Sequence, residues 1–291
     1  MAVGVVAALP QLRPALLAAA GRGEGCPVTH ALRVAREKQE LTAAKDRILA
    51  ASRLLESDEA GFEHWETPYG RYWIPKGQKY ILPFNLAEME TKIYGTGAHY
   101  VQQGDVVLDC GANVGTFARF ALGAGAAKVV AIEPSPVNME CLRRNFTAEI
   151  EAGRVVVVER GVWHEEGVLE MKVDPENRAA DSVVMERATA TATVKVPLTT
   201  IDTLAEELGL ARVDFIKMDI EGAETNALRG AVRVMGQYRP RMSISAYHLP
   251  SDPVEIPRIV RGAWAGVRME CGPCNYEEGR LRPDVLYFGR P

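Results

Sequence analysis

From Gly104 onward, short runs of apolar residues alternate with segments of helical periodicity. Residues 155–158 are valine at every position, whereas a strand with one solvated face would alternate apolar and polar residues. Continuously apolar strands need helices on both faces, and strands that alternate with helices form a mostly parallel sheet. The sequence therefore predicts an α/β protein with a doubly wound sheet.

Polar residues follow several of the predicted strands at the point where each strand ends. Asp109, Glu133, Asp219 and His248 occupy such positions. Ligands of doubly wound sheets bind beyond the carboxyl ends of the strands, so these residues are expected to be neighbours at one rim. The simpler alternative is that each is a solvated residue that ends a strand.

The turn after the first of these strands contains Asp109, Gly111, Asn113 and Gly115. Two glycines in one tight turn indicate a close approach of the backbone to other backbone or to a ligand. The spacing is neither a Gly-x-Gly-x-x-Gly dinucleotide motif nor a Walker loop. Asn113 could also cap the helix that follows, because asparagine is favoured at helix starts.

The carboxylates at this rim suggest a different ligand. Asp109 at the start of a helix disfavours phosphate but can accept a hydrogen bond from an ammonium group. Glu133 at the end of the second strand can accept hydrogen bonds from two ribose hydroxyls. A nucleoside that carries a cationic amino-acid tail fits both residues, and S-adenosylmethionine is such a molecule.

Two segments resemble the first two motifs of class I S-adenosylmethionine-dependent methyltransferases, DVVLDCGANVGTFARFA (105–121) and VVAIEPSPVNMECLRRNF (129–146). The later stretch TTIDTL with VDFIKMDIEGAETNALRGA is similar to the FkbM family in particular, as is ISAYHLPSDPVEIP. The resemblance extends from about Leu86 to Ile259. Its most specific part is Asp-x-Glu-Gly-x-Glu at 219–224.

The resemblance implies a Rossmann-like, seven-stranded methyltransferase domain over residues 86–291, preceded by a helical and hairpin cap over residues 1–85. It implies S-adenosylmethionine as cofactor and O-methylation of a hydroxyl on a small molecule, such as a sugar or secondary metabolite. Asp109, Gly111, Asn113 and Gly115 would surround the methionine and ribose portions, and Glu133 would hold the ribose. The alternatives are methylation of nitrogen or protein, an inactive cofactor-binding protein, and a nicotinamide-dependent oxidoreductase.

The removal of the acceptor proton is predicted at the ends of the fourth and fifth strands, FIKM (215–218) and SISAY (243–247), which lie side by side in this fold. Asp219 and His248 should therefore face one cleft, where the imidazole could accept the proton of the acceptor hydroxyl. Glu221 could act as the base instead. A divalent ion held by Asp219, Glu221 and His248 is a further alternative, although no metal is expected, and His248 could also simply bind a loop.

Charge and cysteine content limit the remaining possibilities. The net charge of the 291 residues is −4 with both signs interspersed, so nucleic acid is not predicted as a partner. Five cysteines, two of them in predicted buried elements, predict unpaired thiols and a reducing, cytoplasmic location. The spacing of Cys271 and Cys274 would suit a redox pair or part of a zinc site. However, the two residues lie between two late predicted strands and no second Cys-x-x-Cys is present, so an ordinary loop is predicted. The oligomeric state is not predicted.

The N-terminal part is predicted as accessory structure. Its first apolar stretch is interrupted by Pro10, Arg13 and Pro14, which argues against a signal peptide and a membrane-spanning helix. Helical periodicity extends over residues 29–59, a short hairpin over 67–77, and a second helix over 86–95. Further along, residues 164–192 are predicted as a polar hairpin, 222–235 as one helix, and the chain ends in two strands joined by a loop.

Overall fold

The computed structural model describes residues 12–173, 184 and 192–290, and its centre is a seven-stranded sheet. The strands of this sheet are β4 (Val106–Cys110), β5 (Lys128–Ile132), β6 (Val155–Val158), β10 (Phe215–Met218), β11 (Arg241–Ser245), β12 (Arg268–Cys271) and β15 (Val285–Gly289). Their order is β12-β15-β11-β10-β4-β5-β6. The strands β6, β5, β4, β10 and β11 pair in parallel, and β15 is antiparallel to both of its neighbours.

This topology confirms the predicted seven-stranded, doubly wound sheet. The chain moves outward from β4 to β5 and β6, then returns to place β10 on the other side of β4. The boundary between β4 and β10 is therefore the point where strand order reverses. Ligand sites of such sheets open at that boundary, beyond the carboxyl ends of the strands.

Helices cover both faces of the sheet, as its apolar strands require. Within the described ranges the α-helices are Arg13–Ala19, Val28–Ala31, Val34–Ala51, Ile81–Glu90, Thr116–Gly123, Pro136–Asn145, Thr147–Glu151, Ile201–Glu207, Glu224–Arg229, Val232–Tyr238 and Asp252–Ala263. One face packs against the four helices between residues 201 and 263. The other packs against Ile81–Glu90, Thr116–Gly123 and Pro136–Asn145. Alternate residues of β4 enter the two cores, with Leu108 on the first face and Val107 on the second.

Between residues 12 and 75, the N-terminal part contains three helices and an antiparallel sheet of β1 (Arg53–Ser57), β2 (Phe62–Thr67) and β3 (Gly70–Pro75). The predicted hairpin over 67–77 is present but begins earlier, because its first strand is β2 and only the turn and β3 lie within the predicted range. The predicted helix over 29–59 is wrong beyond Ala51, because residues 53–57 pair with β2 and obtain their backbone hydrogen bonds there. The predicted helix over 86–95 begins earlier, at Ile81, and ends at Glu90.

Three later elements differ from the sequence-based expectation. Within the predicted polar hairpin, β8 (Gly167–Val173) pairs with β9 (Ala192–Thr199), and β9 also pairs with β7 (Gly161–Val162). Residues 174–183 and 185–191 lie outside the described part. The predicted helix over 222–235 is divided near Gly230. The C-terminal loop contains a hairpin of β13 (Cys274–Glu277) and β14 (Arg280–Pro283).

The cysteines also differ from expectation. Cys26 and Cys274 form a disulfide, although 248 residues separate them, so the prediction of unpaired thiols is wrong for these two. Cys110, Cys141 and Cys271 are free. The fold brings the N-terminal segment against the C-terminal hairpin, a contact that spacing could not show. Within the described residues, no helix has the length and apolar character needed to span a membrane.

Candidate functional site

A cavity of about 300 Å³ opens at the carboxyl ends of β4, β5 and β10. Gly111, Asn113, Glu133, Asp219 and Glu221 line it, so the fold brings five of the eight predicted site residues to one space. The other three lie behind this lining.

The two turn glycines are required by packing. Gly111 has φ of 78°, and a Cβ added to it would lie 1.9 Å from the carbonyl oxygen of Asp219. Gly115 has φ of 91° and immediately precedes the helix Thr116–Gly123, and its added Cβ would lie 2.2 Å from the ring of Phe146. Of the two explanations that the sequence left open, the structure therefore supports close approach within the protein at both positions.

Asn113 and Glu133 are joined directly. Asn113 has a left-handed φ of 50°, and its backbone N–H donates to Glu133 Oε2 at 2.8 Å. Because the helix begins at Thr116, the interpretation of Asn113 as its cap is wrong. Glu133 Oε1 accepts from the Ser135 N–H at 3.0 Å and from Asn138 Nδ2 at 3.3 Å. These donors fix the carboxylate at the end of β5.

Asp109 lies behind the cavity wall and forms an ion pair with Lys217, which lines the cavity. The two residues are paired across β4 and β10, and Lys217 Nζ lies 3.3 Å from Asp109 Oδ1. Burial raises the pKa of the Asp109 carboxyl, and the nearby Lys217 opposes this rise only in part. The ammonium partner expected for Asp109 is thus a lysine of the same chain. A lysine inside the otherwise apolar strand Phe215–Met218 was the sequence signal for this pair.

Asp219 follows β10 and faces the cavity. Its Oδ2 accepts a hydrogen bond from the Tyr94 hydroxyl at 2.7 Å. Burial alone would raise the pKa of Asp219, but Lys217, His248 and the Tyr94 hydroxyl together hold it below its usual value. Asp219 is therefore ionised at neutral pH and is a weak base.

His248 is held in a cluster of carboxylates. β10 and β11 are neighbours, as predicted, and His248 Nε2 lies 3.6 Å from Asp219 Oδ1 and 3.5 Å from Glu221 Oε1. Its Nδ1 donates to Glu224 Oε1 at 2.9 Å, and its side chain is only 2% exposed.

The surroundings of His248 determine its protonation. Burial lowers the pKa of His248, but Glu224, Glu221 and Asp219 outweigh burial, so the pKa lies well above its ordinary value. An imidazole that is already protonated at neutral pH cannot accept a proton from an acceptor hydroxyl. The raised pKa therefore argues against His248 as the base, and its contacts with Asp219 and Glu221 are those of a residue that positions them.

A metal ion at this cluster would be held by a different set of residues from the predicted Asp219, Glu221 and His248. Asp219, Glu224 and His248 each offer a ligand atom within 4.8 Å of the others, so Glu224 stands where Glu221 was predicted. The imidazolium provides a positive charge among these carboxylates, and this charge accounts for their clustering without an ion.

Sequence reasoning missed a carboxylate from the N-terminal side. Glu88, on the helix Ile81–Glu90, lines the cavity together with Phe84 and Asn85. Burial, followed by the negative charge of Asp219, raises the pKa of Glu88 well above its ordinary value. The available signal was a carboxylate between Ala87 and Met89, both of which are buried helix positions.

The end of the cavity beyond Glu133 is largely apolar. The residues that line it there are Ile132, Pro134, Val162, Met171 and Leu198, with Arg160 and Gly161 beside them. Apolar walls of this kind suit a flat aromatic ring, while the carboxylate beside them suits its polar substituents. The cavity therefore combines an apolar slot, a fixed carboxylate and an acidic far end.

The family model for the methyltransferase FkbM domain matches residues 109–266, just over half of the chain. The chain belongs to the FkbM methyltransferase family. Membership of this family argues against the nicotinamide-dependent oxidoreductase. The matched range includes all eight predicted site residues.

Individual relatives are distant. The chain is 28% identical to methyltransferase sdnD of Sordaria araneosa, over 43% of this chain and 59% of that protein. It is 29% identical to 31-O-demethyl-FK506 methyltransferase FkbM of Streptomyces tacrolimicus, over 45% and 60%. It is 25% identical to hexuronic acid methyltransferase AglP of Haloferax volcanii, over 56% and 64%. The chain thus spans about three fifths of the length of these curated relatives.

Among solved structures, the methyltransferase FkbM from Methylobacillus flagellatus aligns with 88% of this chain and 59% of its own. The sequence identity is 18% and the TM-score is 0.47.

Proposed function

We propose that this protein is an S-adenosylmethionine-dependent O-methyltransferase that acts on a hydroxyl of a small molecule. The observation that carries the proposal is a single cavity with a fixed carboxylate, Glu133, near its apolar slot and with Glu88, Asp219 and Glu221 at its other end. The names of two relatives specify hexuronic acid and 31-O-demethyl-FK506 as substrates. Both names point to small molecules that carry hydroxyl groups.

The residues present fit S-adenosylmethionine. The apolar slot beside Val162 and Leu198 would take the adenine, and the Glu133 carboxylate would accept hydrogen bonds from the ribose hydroxyls. Gly111 lets the turn run close to β10, which leaves the cavity open beside the backbone of residues 111–113. When bound, S-adenosylmethionine supplies a methyl group activated by a sulfonium charge.

The acidic end of the cavity would bind the acceptor and take its proton. Asp219 and Glu221 are oriented by His248 and can accept hydrogen bonds from an acceptor hydroxyl. Glu88, once it is ionised, is better suited to receive the proton, because a carboxylate with a raised pKa binds a proton more tightly than an ordinary one. Holding the hydroxyl in line for transfer is the other contribution of these side chains.

Residues 1–85 would form a cap that shapes the acceptor end, while residues 86–291 form the methyltransferase domain. Ile81, Phe84, Asn85 and Glu88, on a helix that crosses this boundary, all line the cavity. The helix also packs against Thr116–Gly123 of the sheet domain. The acceptor therefore meets side chains from both parts.

A direct test uses the purified chain with labelled S-adenosylmethionine and a panel of sugars, macrolides and other hydroxyl compounds, with matched amines as a second panel. Label transfer to a hydroxyl compound with release of S-adenosylhomocysteine is the expected result. Label transfer to amines alone would show that the protein methylates nitrogen and would refute the proposed O-methylation. Calorimetric titration with S-adenosylhomocysteine checks the cofactor separately, and absence of binding would refute the cofactor assignment.

A further inference from the structure

Three cysteine sulfurs from two distant parts of the chain meet at the C-terminal hairpin. Cys26 lies between the helices Arg13–Ala19 and Val28–Ala31, while Cys271 ends β12 and Cys274 begins β13. The three Sγ atoms all lie within 4.8 Å of one another. The Cys26–Cys274 disulfide uses two of these sulfurs, so it gives no reason for the third, Cys271, to be there.

The separation of Cys271 and Cys274 matches that of two ligands of one zinc ion. Their Sγ atoms are 3.6 Å apart. Zinc binds thiolate at about 2.3 Å in a tetrahedron, which places two ligating sulfurs about 3.8 Å apart. Two cysteines separated by two residues, as in Cys271-Gly272-Pro273-Cys274, also have the spacing of structural zinc sites.

The surroundings of the sulfurs form a built and partly buried site. Cys26 and Cys274 are buried, within a small apolar cluster that includes Ala31 and Leu281. His30 Nδ1 lies 2.8 Å from the carbonyl oxygen of Gly272, and it must donate this hydrogen bond because a carbonyl oxygen only accepts. His30 thereby fixes the loop between the two C-terminal cysteines to the helix that follows Cys26.

A carboxylate is the candidate for the fourth ligand. Glu37, on the helix Val34–Ala51, interacts electrostatically with the Cys271 thiol. Its Oε2 is buried and has no hydrogen-bond partner among the described residues. Carboxylate oxygen is an accepted zinc ligand beside cysteine sulfur.

We propose that the reduced chain binds one structural zinc ion through Cys26, Cys271 and Cys274, with Glu37 available as the fourth ligand. The site would tie the N-terminal helices to the end of the sheet, away from the methyl-transfer cavity. It is independent of the proposed function, because none of its residues lines that cavity.

The chemistry requires the disulfide to be open. A phosphine reductant with water, or a pair of external thiols, cleaves the Cys26–Cys274 bond, giving two protein thiols and a phosphine oxide or an external disulfide. Zn²⁺ then binds the three cysteines as thiolates, and their protons are released to solvent. No other redox change is needed.

The test reduces the full chain with a phosphine under anaerobic conditions and titrates Co²⁺, whose bonds to thiolate give a near-ultraviolet charge-transfer band, followed by displacement with Zn²⁺. Cys271→Ser is the decisive variant because it leaves Cys26 and Cys274 able to form their disulfide. The matched control is Cys141→Ser, which removes a buried cysteine elsewhere.

We expect one metal ion per chain in the wild type and in Cys141→Ser. In Cys271→Ser, affinity should fall by at least about tenfold to a hundredfold, the loss that a supporting partner of a ligand already causes. The zinc-loaded chain should also resist proteolysis between residues 12 and 34 better than the reduced, metal-free chain. A disulfide that resists the phosphine, a reduced wild type without the thiolate band, or a Cys271→Ser variant with wild-type affinity would each overturn the proposal.

Discussion

Lys217 Nζ lies 3.3 Å from Asp109 Oδ1, and the two side chains are almost entirely buried between neighbouring strands. The same ammonium group donates to the carbonyl oxygen of Gly111 at 2.8 Å. Lys217 therefore connects β10, the end of β4 and the glycine turn through a single charge. The sequence predicted that the Asp109 carboxylate contacts the cofactor, but in the structure this carboxylate pairs with Lys217.

Replacing Lys217 with methionine should be strongly destabilising. Removal of one partner leaves the Asp109 charge buried without compensation, which typically costs about 3–5 kcal/mol of unfolding free energy. Urea unfolding measures this change. The double variant Lys217→Met with Asp109→Asn should recover a large part of the loss, and full additivity of the two single losses would contradict the pairing.

Replacing Gly111 with alanine should cost at least about 2 kcal/mol, from left-handed strain and overpacking together. The added Cβ would collide with the Asp219 carbonyl oxygen. Gly123→Ala is the matched control, because this helical glycine has no atom within 4 Å of an added Cβ. Thermal unfolding should separate the two variants clearly, and equal melting temperatures would show that the turn relaxes freely.

Replacing Glu133 with glutamine should weaken S-adenosylhomocysteine binding by about 1.5–3 kcal/mol, the usual value of hydrogen bonds to a charged group. An amide keeps the shape of the carboxylate, but one of its oxygen acceptors becomes a donor. Calorimetry gives the affinity, and Glu159→Gln, a substitution outside the cavity, serves as control. Unchanged affinity in Glu133→Gln would remove the ribose contact from the proposal.

The sequence was sufficient to predict the sheet and the polar residues at the carboxyl ends of its strands. Continuous apolar strands and the polar residues that follow them are local signals. The sequence placed Glu133, Asp219 and Glu221 correctly near one another but could not assign their partners. The ion pair of Asp109 with Lys217 depends on pairing between strands more than 100 residues apart in the sequence. Glu88 depends on how the N-terminal helix packs, which has no counterpart in local periodicity.

Replacing Glu88 with glutamine should lower turnover while leaving S-adenosylhomocysteine affinity near that of the wild type. The burial that raises the pKa of Glu88 makes its ionised form the stronger base, and general-base catalysis typically contributes about 10²–10⁴-fold. Turnover with an acceptor identified from the panel gives the readout. Equal turnover in the variant and the wild type would move the base to Asp219 or Glu221.

Replacing His248 with glutamine tests whether the imidazolium positions the acidic end of the cavity. Without the charge of His248 and its contact to Glu224, the carboxylates of Asp219 and Glu221 should shift. A misplacement of about 1 Å can cost about a hundredfold in turnover. Cofactor affinity should stay near normal, because His248 does not line the cavity. The pH dependence separates this role from that of a base.

The pKa of His248 is raised in the folded protein, so its contribution to stability is complete below the unfolded value of about 6.5 and is lost as pH rises through the folded value. The stability difference between wild type and His248→Gln should therefore be largest at mildly acidic pH and narrow in alkaline solution. Wild-type turnover should fall over the same alkaline range as the imidazolium loses its proton. A wild-type turnover that rises through that range, with no such rise in the variant, would restore His248 as the base.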